Sequence, residues 1–318
     1  HQTVSRVLND SAAVHPATRR RVENAIAALG YRRNHAARAL ASRRSGILGV
    51  ISLESTLYGP ASTLHGLERA AREAGYFVTI TSCDDTDRGS VDAAFSRLAE
   101  QAVEGIVMIA PLAGVTAPQS THVPVVLTQA APSSATATVS VDQRRGAELV
   151  TAHLLRQGAP TVWHVTGPAD WVESTQRRAG WAAALAAAGV DAPEPLVGDW
   201  TPATGYRLGR ELARRDDVHA VFVANDHMAL GVIRALDEAG RRVPDDVMVA
   251  GFDDIPEAAF FSPPLTTVRQ DFLDVGRRAI DLLVAQLRGE PVAHAVIEPL
   301  LVVRASSSAR PGDASGEV

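Results

Sequence analysis

The chain has 318 residues, 46% of them hydrophobic and 21% charged, which is typical of a globular protein with two or three domains. All 31 basic residues are arginine, which excludes lysine-dependent chemistry such as a Walker-type phosphate loop or a pyridoxal-phosphate Schiff base. Cys83 is the only cysteine, so no internal disulfide can form and a reducing compartment is indicated. Without a signal-peptide pattern or an apolar run of ~20 residues, the sequence predicts a cytoplasmic protein.

The net charge of −5 is distributed unevenly along the chain. Residues 1–45 contain nine arginines and two acidic residues, a net charge of +7, which leaves −12 for the remainder. A basic segment attached to an acidic body is typical of a nucleic-acid-binding domain joined to a domain with another role. A basic surface that only contacts solvent would give the same composition. The helical patterns in this segment are therefore needed to distinguish such a surface from a nucleic-acid-binding domain.

The first ten residues have the pattern of a short amphipathic helix. Val4, Val7 and Leu8 recur at helical spacing and predict an apolar face, whereas Gln2 and Arg6 lie one turn apart on another face. Glutamine and arginine make bidentate hydrogen bonds to adenine and guanine in a major groove. The pattern therefore predicts a DNA-reading helix, with an ordinary amphipathic helix as the alternative.

Two further helical segments follow in the basic region. Pro16 fits the first turn of a helix that extends over 18–29, and three arginines in its first turn indicate a polyanionic partner, since they oppose the helix dipole. The alanine-rich segment 34–42 is so short that it is predicted to fold on binding. Its one large apolar side chain, Leu40, is either a packing contact or a wedge for a minor-groove base step.

From Ile47 onward the pattern changes to alternating strands and helices. Apolar runs predict buried parallel strands over 47–53, 77–81, 105–110, 123–127, 162–165, 220–224 and 247–251. Helical stretches separate them at 62–74, 91–101, 147–156 and 228–239. The predicted fold class is α/β with two doubly wound parallel sheets, which bind ligands at the carboxyl ends of their strands, here in the cleft that joins the two units.

The motifs of common enzymes and metal sites are missing from the sequence. The ten histidines are scattered, and no G-x-S-x-G or G-x-G-x-x-G segment occurs. We therefore expect no catalysis, no metal and no cofactor.

Three segments, in order along the chain, are similar to the lactose-repressor family of bacterial transcription regulators. Gln-Thr-Val-Ser-Arg-Val-Leu-Asn at 2–9 resembles the recognition helix of this family, and 223–231 resembles its second-lobe cleft motif. Gly251-Phe-Asp-Asp254 followed by 263–272 resembles its closing segment. Gly198-Asp-Trp200 and the segment 178–181 are close to the family's namesake, and the resemblance extends from His1 to about Arg304.

The resemblance implies a two-lobed, periplasmic-binding-protein-like core with a partial helix-turn-helix head. The expected domains are the head at 1–33, a hinge helix and linker at 34–45, a first lobe at 46–142 plus 270–299, a second lobe at 143–269 plus 300–305, and a disordered tail at 306–318. Because the helix and turn that precede the recognition helix in the family are missing, the head is expected to be truncated. The family's tetramer-forming leucine heptad is also missing, so we expect a homodimer on a pseudo-palindromic operator.

The resemblance also implies which side chains contact DNA and effector. His1, Gln2 and Arg6 match base-contacting positions and Leu40 matches the hinge leucine, while the other predicted DNA-contacting residues are Thr3, Ser5, Asn9, Asn34 and Arg38. The predicted effector-contacting residues are Leu57, Pro60, Gln129, Trp171, Arg177, Trp200, Asn225, Asp253 and Phe272. Arginine donates, aspartate accepts, asparagine does both and tryptophan stacks on C–H faces, a set that independently suits the vicinal hydroxyls of a sugar.

Three of the cleft positions depart from the pattern of the family's namesake. Leu53, Gln129 and Trp171 replace a serine, an aspartate and a serine, so the effector is expected to differ from a simple lactose-type inducer. Arg33 replaces the proline that is usual at the hinge entry. Asn225 also fits a helix cap and Trp171 also fits plain packing.

The hypothesis is a repressor controlled by a small sugar, with a galactoside-like or related saccharide as the expected effector. Alternatives are a purine or other non-sugar corepressor in the same fold, and a sugar-binding protein without a DNA role, which the basic head disfavours. An α/β enzyme that acts on a sugar would need a pair of carboxylates, and Asp226 with Asp253 is the candidate pair.

Overall fold

A computed structural model describes residues 2–8, 13–29, 44–53, 56–83, 88–110, 112, 114, 116, 118, 121–130 and 136–308. The chain divides between Ser45 and Gly46 into two compact units, the head and the core. In the described part of the chain, no helix has the length and apolar character needed to cross a membrane.

The head contains helices α1 (Gln2–Leu8) and α2 (Pro16–Ala28). Pro16 occupies the first turn of α2 as predicted, and His15 caps this helix by accepting a hydrogen bond at Nδ1 from the Ala17 amide at 3.3 Å. Val7 is buried, but Val4 is 40% exposed, so the apolar face predicted for α1 is only partly covered within this unit. The predicted hinge segment 34–42 lies outside the described residues.

The core alternates strands and helices. Its first part contains β1 (Ile47–Leu53), α3 (Tyr58–Glu73), β2 (Phe77–Cys83), α4 (Arg88–Glu100), β3 (Gly105–Ile109), β4 (Val125–Thr128) and β5 (Ala137–Val141). Its middle part contains α5 (Gln143–Arg156), β6 (Trp163–Thr166), α6 (Val172–Ala187), β7 (Leu196–Val197), α7 (Pro202–Leu212), β8 (Ala220–Val223), α8 (Asp226–Glu238) and β9 (Met248–Ala250). Its last part contains β10 (Thr267–Arg269), α9 (Phe272–Leu287), β11 (His294–Ile297) and β12 (Leu300–Val302).

The strands form two parallel sheets, which confirms the predicted α/β class. The first sheet has the order β11-β5-β4-β3-β1-β2 and the second has the order β7-β6-β8-β9, with every pairing parallel. β10 and β12 form an antiparallel pair that adjoins β9 through isolated bridges. The central strands β3 and β8 are buried along their whole length, which explains their continuous apolar sequences.

The chain passes between the two sheets three times. It leaves the first sheet after β5, returns to it through α9 and β11, and leaves it again at β12. α9 packs against α3 and against the strands of the first sheet, and α5 packs against α6 in the second lobe. Each lobe is therefore built from segments that are distant in sequence.

Two helices begin four residues earlier than predicted. α3 begins at Tyr58 rather than at residue 62, because Pro60 lies in its first turn, where the missing N–H has no helical partner to lose. α5 begins at Gln143 rather than at residue 147, because the Asp142 side chain caps it and accepts a hydrogen bond from the Arg145 amide at 2.8 Å.

The tail prediction is wrong at its start. Ala305–Ser307 form a 3-10 helix in which both serines are fully buried. The Ser306 hydroxyl donates to the Val249 carbonyl at 2.6 Å, and the Ser307 hydroxyl lies 2.8 Å from Nε2 of His153. A segment rich in small polar residues has the composition of a disordered tail. Here, however, buried hydrogen bonds fix the positions of the two serines. Residues 309–318 lie outside the described residues.

Candidate effector cleft and DNA-reading helix

A cavity of about 220 Å³ opens where the carboxyl ends of the two sheets face each other. Gln129 directly follows β4, while Trp200, Asn225 and Asp253 lie in the segments that follow β7, β8 and β9. This is the position expected for a ligand site in doubly wound sheets. All nine predicted effector residues line this cavity, namely Leu57, Pro60, Gln129, Trp171, Arg177, Trp200, Asn225, Asp253 and Phe272.

Arg177 belongs to a ring of four side chains that is closed by three hydrogen bonds and one ion pair. Its Nε donates to Gln143 Oε1 at 2.9 Å, Gln143 Nε2 donates to Gln270 Oε1 at 2.6 Å, and Gln270 Nε2 donates to Asp253 Oδ1 at 2.7 Å. An ion pair of 3.7 Å between Arg177 Nη2 and the same Oδ1 atom of Asp253 completes the ring. Arg177 Nη1 also donates to the Ala224 carbonyl at 2.5 Å. Since the ring fixes both charged groups, the cleft presents a preorganised donor and acceptor.

Three residues of the cleft have backbone conformations that are unfavourable for side chains other than glycine. Gln129, Trp200 and Asp253 have φ values of +65°, +73° and +113°. Each such residue costs about 1–3 kcal/mol, and this strain concentrates at ligand sites. The strained backbone therefore marks the cleft as functional independently of its chemistry.

Trp200 forms an aromatic surface beside Arg177. Its ring makes an edge-to-face contact with Trp171 at a centroid distance of 5.3 Å, and the Arg177 guanidinium lies 5.6 Å from its centre. A Cβ atom at Gly167 would lie 2.2 Å from the Trp200 ring, so this position requires glycine. The guanidinium also lies 4.0 Å from the ring centre of Phe252. Trp171 thus combines the packing role that the sequence favoured with a place in the cavity wall.

Asn225 acts as a helix cap and as a support for Trp200. Its Oδ1 accepts a hydrogen bond from the Met228 amide at 2.9 Å at the start of α8, and its Nδ2 donates to the Trp200 carbonyl at 3.1 Å. The capping alternative is therefore correct. One N–H of the amide group stays available to a ligand, because Nδ2 carries two.

The first-lobe wall is mostly apolar. Leu57, Pro60 and Phe272 line it, and Tyr58 contacts the Phe272 ring edge-on at 5.8 Å. Gln129 is a buried polar group on this wall: it is 5% exposed, and its Oε1 has no hydrogen-bond partner among the described residues. A ligand in this cleft meets apolar groups on one side and charged groups on the other.

Several functional candidates were not found from the sequence. Tyr58, His227 and Gln270 also line the cavity, and so does Glu173, which is 4% exposed. Burial raises the pKa of Glu173 to about 7, the Arg177 guanidinium opposes this rise, and Asp253 adds to it. The four-residue spacing from Glu173 to Arg177, which places both on one face of α6, was the available sequence signal.

The carboxylate pair that the enzyme alternative relied on, Asp226 with Asp253, does not face the cavity together. Asp226 is fully buried and does not line the cavity. Its Oδ1 accepts a hydrogen bond from the Thr267 hydroxyl at 2.6 Å and its Oδ2 accepts one from the Ile255 amide at 2.9 Å. Asp226 therefore ties α8 to the segment before β10. In the described residues, no three histidine, cysteine, aspartate or glutamate side chains are grouped so that they could hold a metal ion.

The predicted DNA-contacting residues are only partly described. Thr3 and Arg6 are exposed on α1, as are Arg20 and Arg21 on α2. The backbones of Gln2 and Ser5 lie in α1, and their side chains lie outside the described set. The remaining predicted residues lie outside the described residues altogether, namely His1, Asn9, Asn34, Arg38 and Leu40.

Two family models match this chain. Residues 1–34 match the model of bacterial regulatory proteins of the lacI family, and residues 151–307 match that of a periplasmic binding protein-like domain.

Curated relatives align over nearly the whole chain. The lactose operon repressor of Escherichia coli is 30% identical over 98% of this chain and 88% of its own length. The HTH-type transcriptional regulator CelR of Thermobifida fusca is 36% identical over 96% of this chain and 94% of its own length. The HTH-type transcriptional repressor PurR of Mannheimia succiniciproducens is 30% identical over 96% of this chain and 94% of its own length.

Solved structures agree with the relatives. A lac repressor dimer bound to operator and the anti-inducer ONPF superposes with a TM-score of 0.86, at 30% identity over 97% of this chain and 95% of the other. A CelR–cellobiose complex superposes with a TM-score of 0.75, at 33% identity over 96% and 95% of the two chains. The protein is thus a DNA-binding transcription regulator and not an enzyme, and it belongs to the lacI family of bacterial regulatory proteins.

Proposed function

We propose that this regulator is a cytoplasmic repressor whose affinity for operator DNA is controlled by a small saccharide bound between its lobes. The observation that carries this proposal is the ring of Arg177, Gln143, Gln270 and Asp253, which faces a cavity beside the Trp200 surface. Its polar groups are fixed before any ligand arrives, so a matching ligand binds without the cost of ordering them.

The chemistry of the walls favours a sugar. Arg177 can donate hydrogen bonds to a ligand, and Asp253 can accept them. The contacts of Asp253 with Gln270 and Arg177 both use Oδ1, so Oδ2 remains for a ligand donor. A pyranose has hydroxyls on its edge and C–H groups on its faces, and these suit the charged wall and the tryptophan ring respectively. Buried polar groups without a matched hydroxyl would be left unpaired, so the cleft is expected to discriminate strongly between sugars.

The relatives support a dimer, an operator and a sugar. One similar structure is a lac repressor dimer on operator DNA, and another is CelR in complex with cellobiose. By analogy, two copies of this chain would read the two halves of a pseudo-palindromic operator, each with α1 in a major groove and the hinge segments near the centre.

Control follows from the two-lobed construction. An effector that contacts both walls favours one angle between the lobes and thereby changes the spacing of the two heads. It can shift operator affinity only by its differential affinity for the two states, typically about 1–3 kcal/mol. A corepressor would bind in the same cleft, but it would raise operator affinity instead of lowering it.

Thermal unfolding with a ligand panel tests the proposal. The panel contains lactose, cellobiose, ribose, galactosides, glucosides, adenine and guanine. A ligand at a hundred times its dissociation constant adds about 2.7 kcal/mol to the free energy of unfolding, which raises the melting temperature by a few degrees. We expect a shift from one sugar class, and loss of that shift in Asp253→Asn.

Asp191→Asn is the matched control, because Asp191 is an exposed aspartate that does not line the cleft. It should keep the full ligand shift. A purine repressor is among the relatives, so a shift from purines alone would retain the regulator and replace its effector class. If no panel member produces a shift, the saccharide proposal is wrong.

A further inference from the structure

Glu173 has a buried side-chain oxygen that no described residue satisfies. The side chain lies in the first turn of α6, lines the cleft and is 4% exposed. Its Oε2 atom is buried and has no hydrogen-bond partner among the described residues. A buried polar atom without a partner costs about 1–3 kcal/mol, so folding alone does not account for a glutamate at this position.

The surroundings of Glu173 indicate what kind of group would satisfy it. Arg177 lies one turn further along the same helix, but its nitrogens already bond Gln143, the Ala224 carbonyl and Asp253. None of these contacts involves Glu173. Glu173 lines the cavity, so a ligand bound there can bring the donor that Oε2 lacks.

We infer that Glu173 is a specificity-determining residue of the cleft, which accepts a hydrogen bond from a hydroxyl group of the bound saccharide. With Asp253 on the same wall, it selects ligands with at least two hydroxyl donors towards the second lobe, and it rejects anionic sugars such as uronates and sugar phosphates. This inference rests on the proposed saccharide effector and assigns one of its contacts.

Effector affinity then depends on pH. A hydroxyl donates best to the ionised carboxylate, and the pKa of Glu173 in the free protein is about 7. Below pH 7 most Glu173 side chains are protonated, so effector binding must release this proton. The affinity for the effector therefore rises with pH. For a ligand that binds only the ionised form, affinity at pH 8 exceeds that at pH 6 about tenfold.

Other ionisable groups face the same cavity. Arg177 lies on α6, Asp253 follows β9, His227 lies at the start of α8 and Tyr58 at the start of α3. Asp226 is buried behind them. Burial raises the pKa of both Asp253 and Asp226. Asp253 interacts electrostatically with Glu173, so the difference between the parent protein and a Glu173 variant measures Glu173 together with its effect on Asp253.

The test compares three proteins by titration calorimetry at pH 6, 7 and 8 with cellobiose, lactose and ribose. Glu173→Gln keeps the size of the side chain and removes its ionisation. Glu194→Gln is the matched control, because Glu194 is an exposed acidic residue of the second lobe that does not line the cleft. We expect the parent and the control to bind about tenfold more tightly at pH 8 than at pH 6.

In Glu173→Gln, affinity at pH 8 should fall about tenfold and become nearly independent of pH, because a neutral acceptor forms the weaker hydrogen bond. A His227→Gln variant should retain the pH dependence of the parent. Equal affinity and equal pH dependence in the parent and Glu173→Gln overturn this inference alone. Loss of the pH dependence in His227→Gln assigns it to the histidine and likewise overturns it. No binding of any sugar overturns the proposed function together with it.

Discussion

Glu173 gives a measurable pH dependence of stability at the scale of a single residue. Burial raises its pKa from the usual 4.5 to about 7. Between these two pH values the folded protein holds a proton that the unfolded chain has released, so the free energy of unfolding decreases as pH rises from about 4.5 to about 7. At pH 8 the ionised, buried carboxylate then lowers stability by about 3 kcal/mol relative to a neutral side chain.

We therefore predict that Glu173→Gln is more stable than the parent at pH 8 and that this advantage disappears towards pH 5. Melting temperatures of both proteins at pH 5, 6, 7 and 8 without ligand measure the difference. The contribution of His164, whose pKa burial lowers to about 4, is common to both proteins and cancels in this difference. A difference that stays constant over this range would contradict the assignment.

The contact of α7 with α8 carries a prediction at the scale of elements. A Cβ atom at Gly231 would lie 2.1 Å from the Pro202 carbonyl oxygen, and one at Gly205 would lie 2.1 Å from that of Met228. The two helices thus approach through glycines on both sides. We predict that Gly231→Ala lowers the free energy of unfolding by about 1–3 kcal/mol, measured by urea denaturation, because the helices must separate.

Leu230→Ala is the control for this prediction. Leu230 is next to Gly231 on α8 and is 43% exposed, so its truncation should change stability much less. An equal effect of both substitutions would show that the close approach of the helices does not determine stability here.

The sequence predicted strands better than helix starts, for a physical reason. Central strands of a parallel sheet are buried on both faces, so β1 appears as one apolar run and its predicted limits, 47–53, are those observed. The starts of α3 and α5 depend on a proline in the first turn and an aspartate cap, which are also common in loops.

The cleft shows the same contrast. Arg177, Trp200 and Asp253 were found because they lie in recognisable motifs. The ring that fixes Arg177 was not, because Gln143 and Gln270 are 127 positions apart and meet only in the folded protein. Glu173 belongs to no motif, and its unsatisfied oxygen is a property of its surroundings rather than of its sequence.

At the scale of the whole molecule, the uneven charge predicts how DNA binding responds to salt. Each phosphate neutralised by an arginine contributes about −0.9 to the slope of log affinity against log salt concentration. Arg20 and Arg21 are exposed on α2 of the basic head. If both contact phosphates, replacing them with glutamine should make the slope less steep by about 1.8 units.

Fluorescence anisotropy with a duplex of arbitrary sequence measures this slope for the 318-residue chain, because phosphate contacts do not depend on base sequence. The control replaces Arg207 and Arg210, two exposed arginines on α7 of the core, and should leave the slope unchanged. An equal change from both pairs would mean that net charge rather than the head determines binding.

The three passages of the chain between the sheets also affect synthesis of the protein. The cleft wall needs Phe272, and the first sheet needs β11 at its edge, yet both follow the whole second sheet in sequence. A nascent chain can fold the second parallel sheet early but cannot finish the first lobe until residue 297 has left the ribosome. Effector binding is therefore confined to chains that extend past residue 297, and fragments that stop in the second lobe cannot compete with the regulator for its ligand.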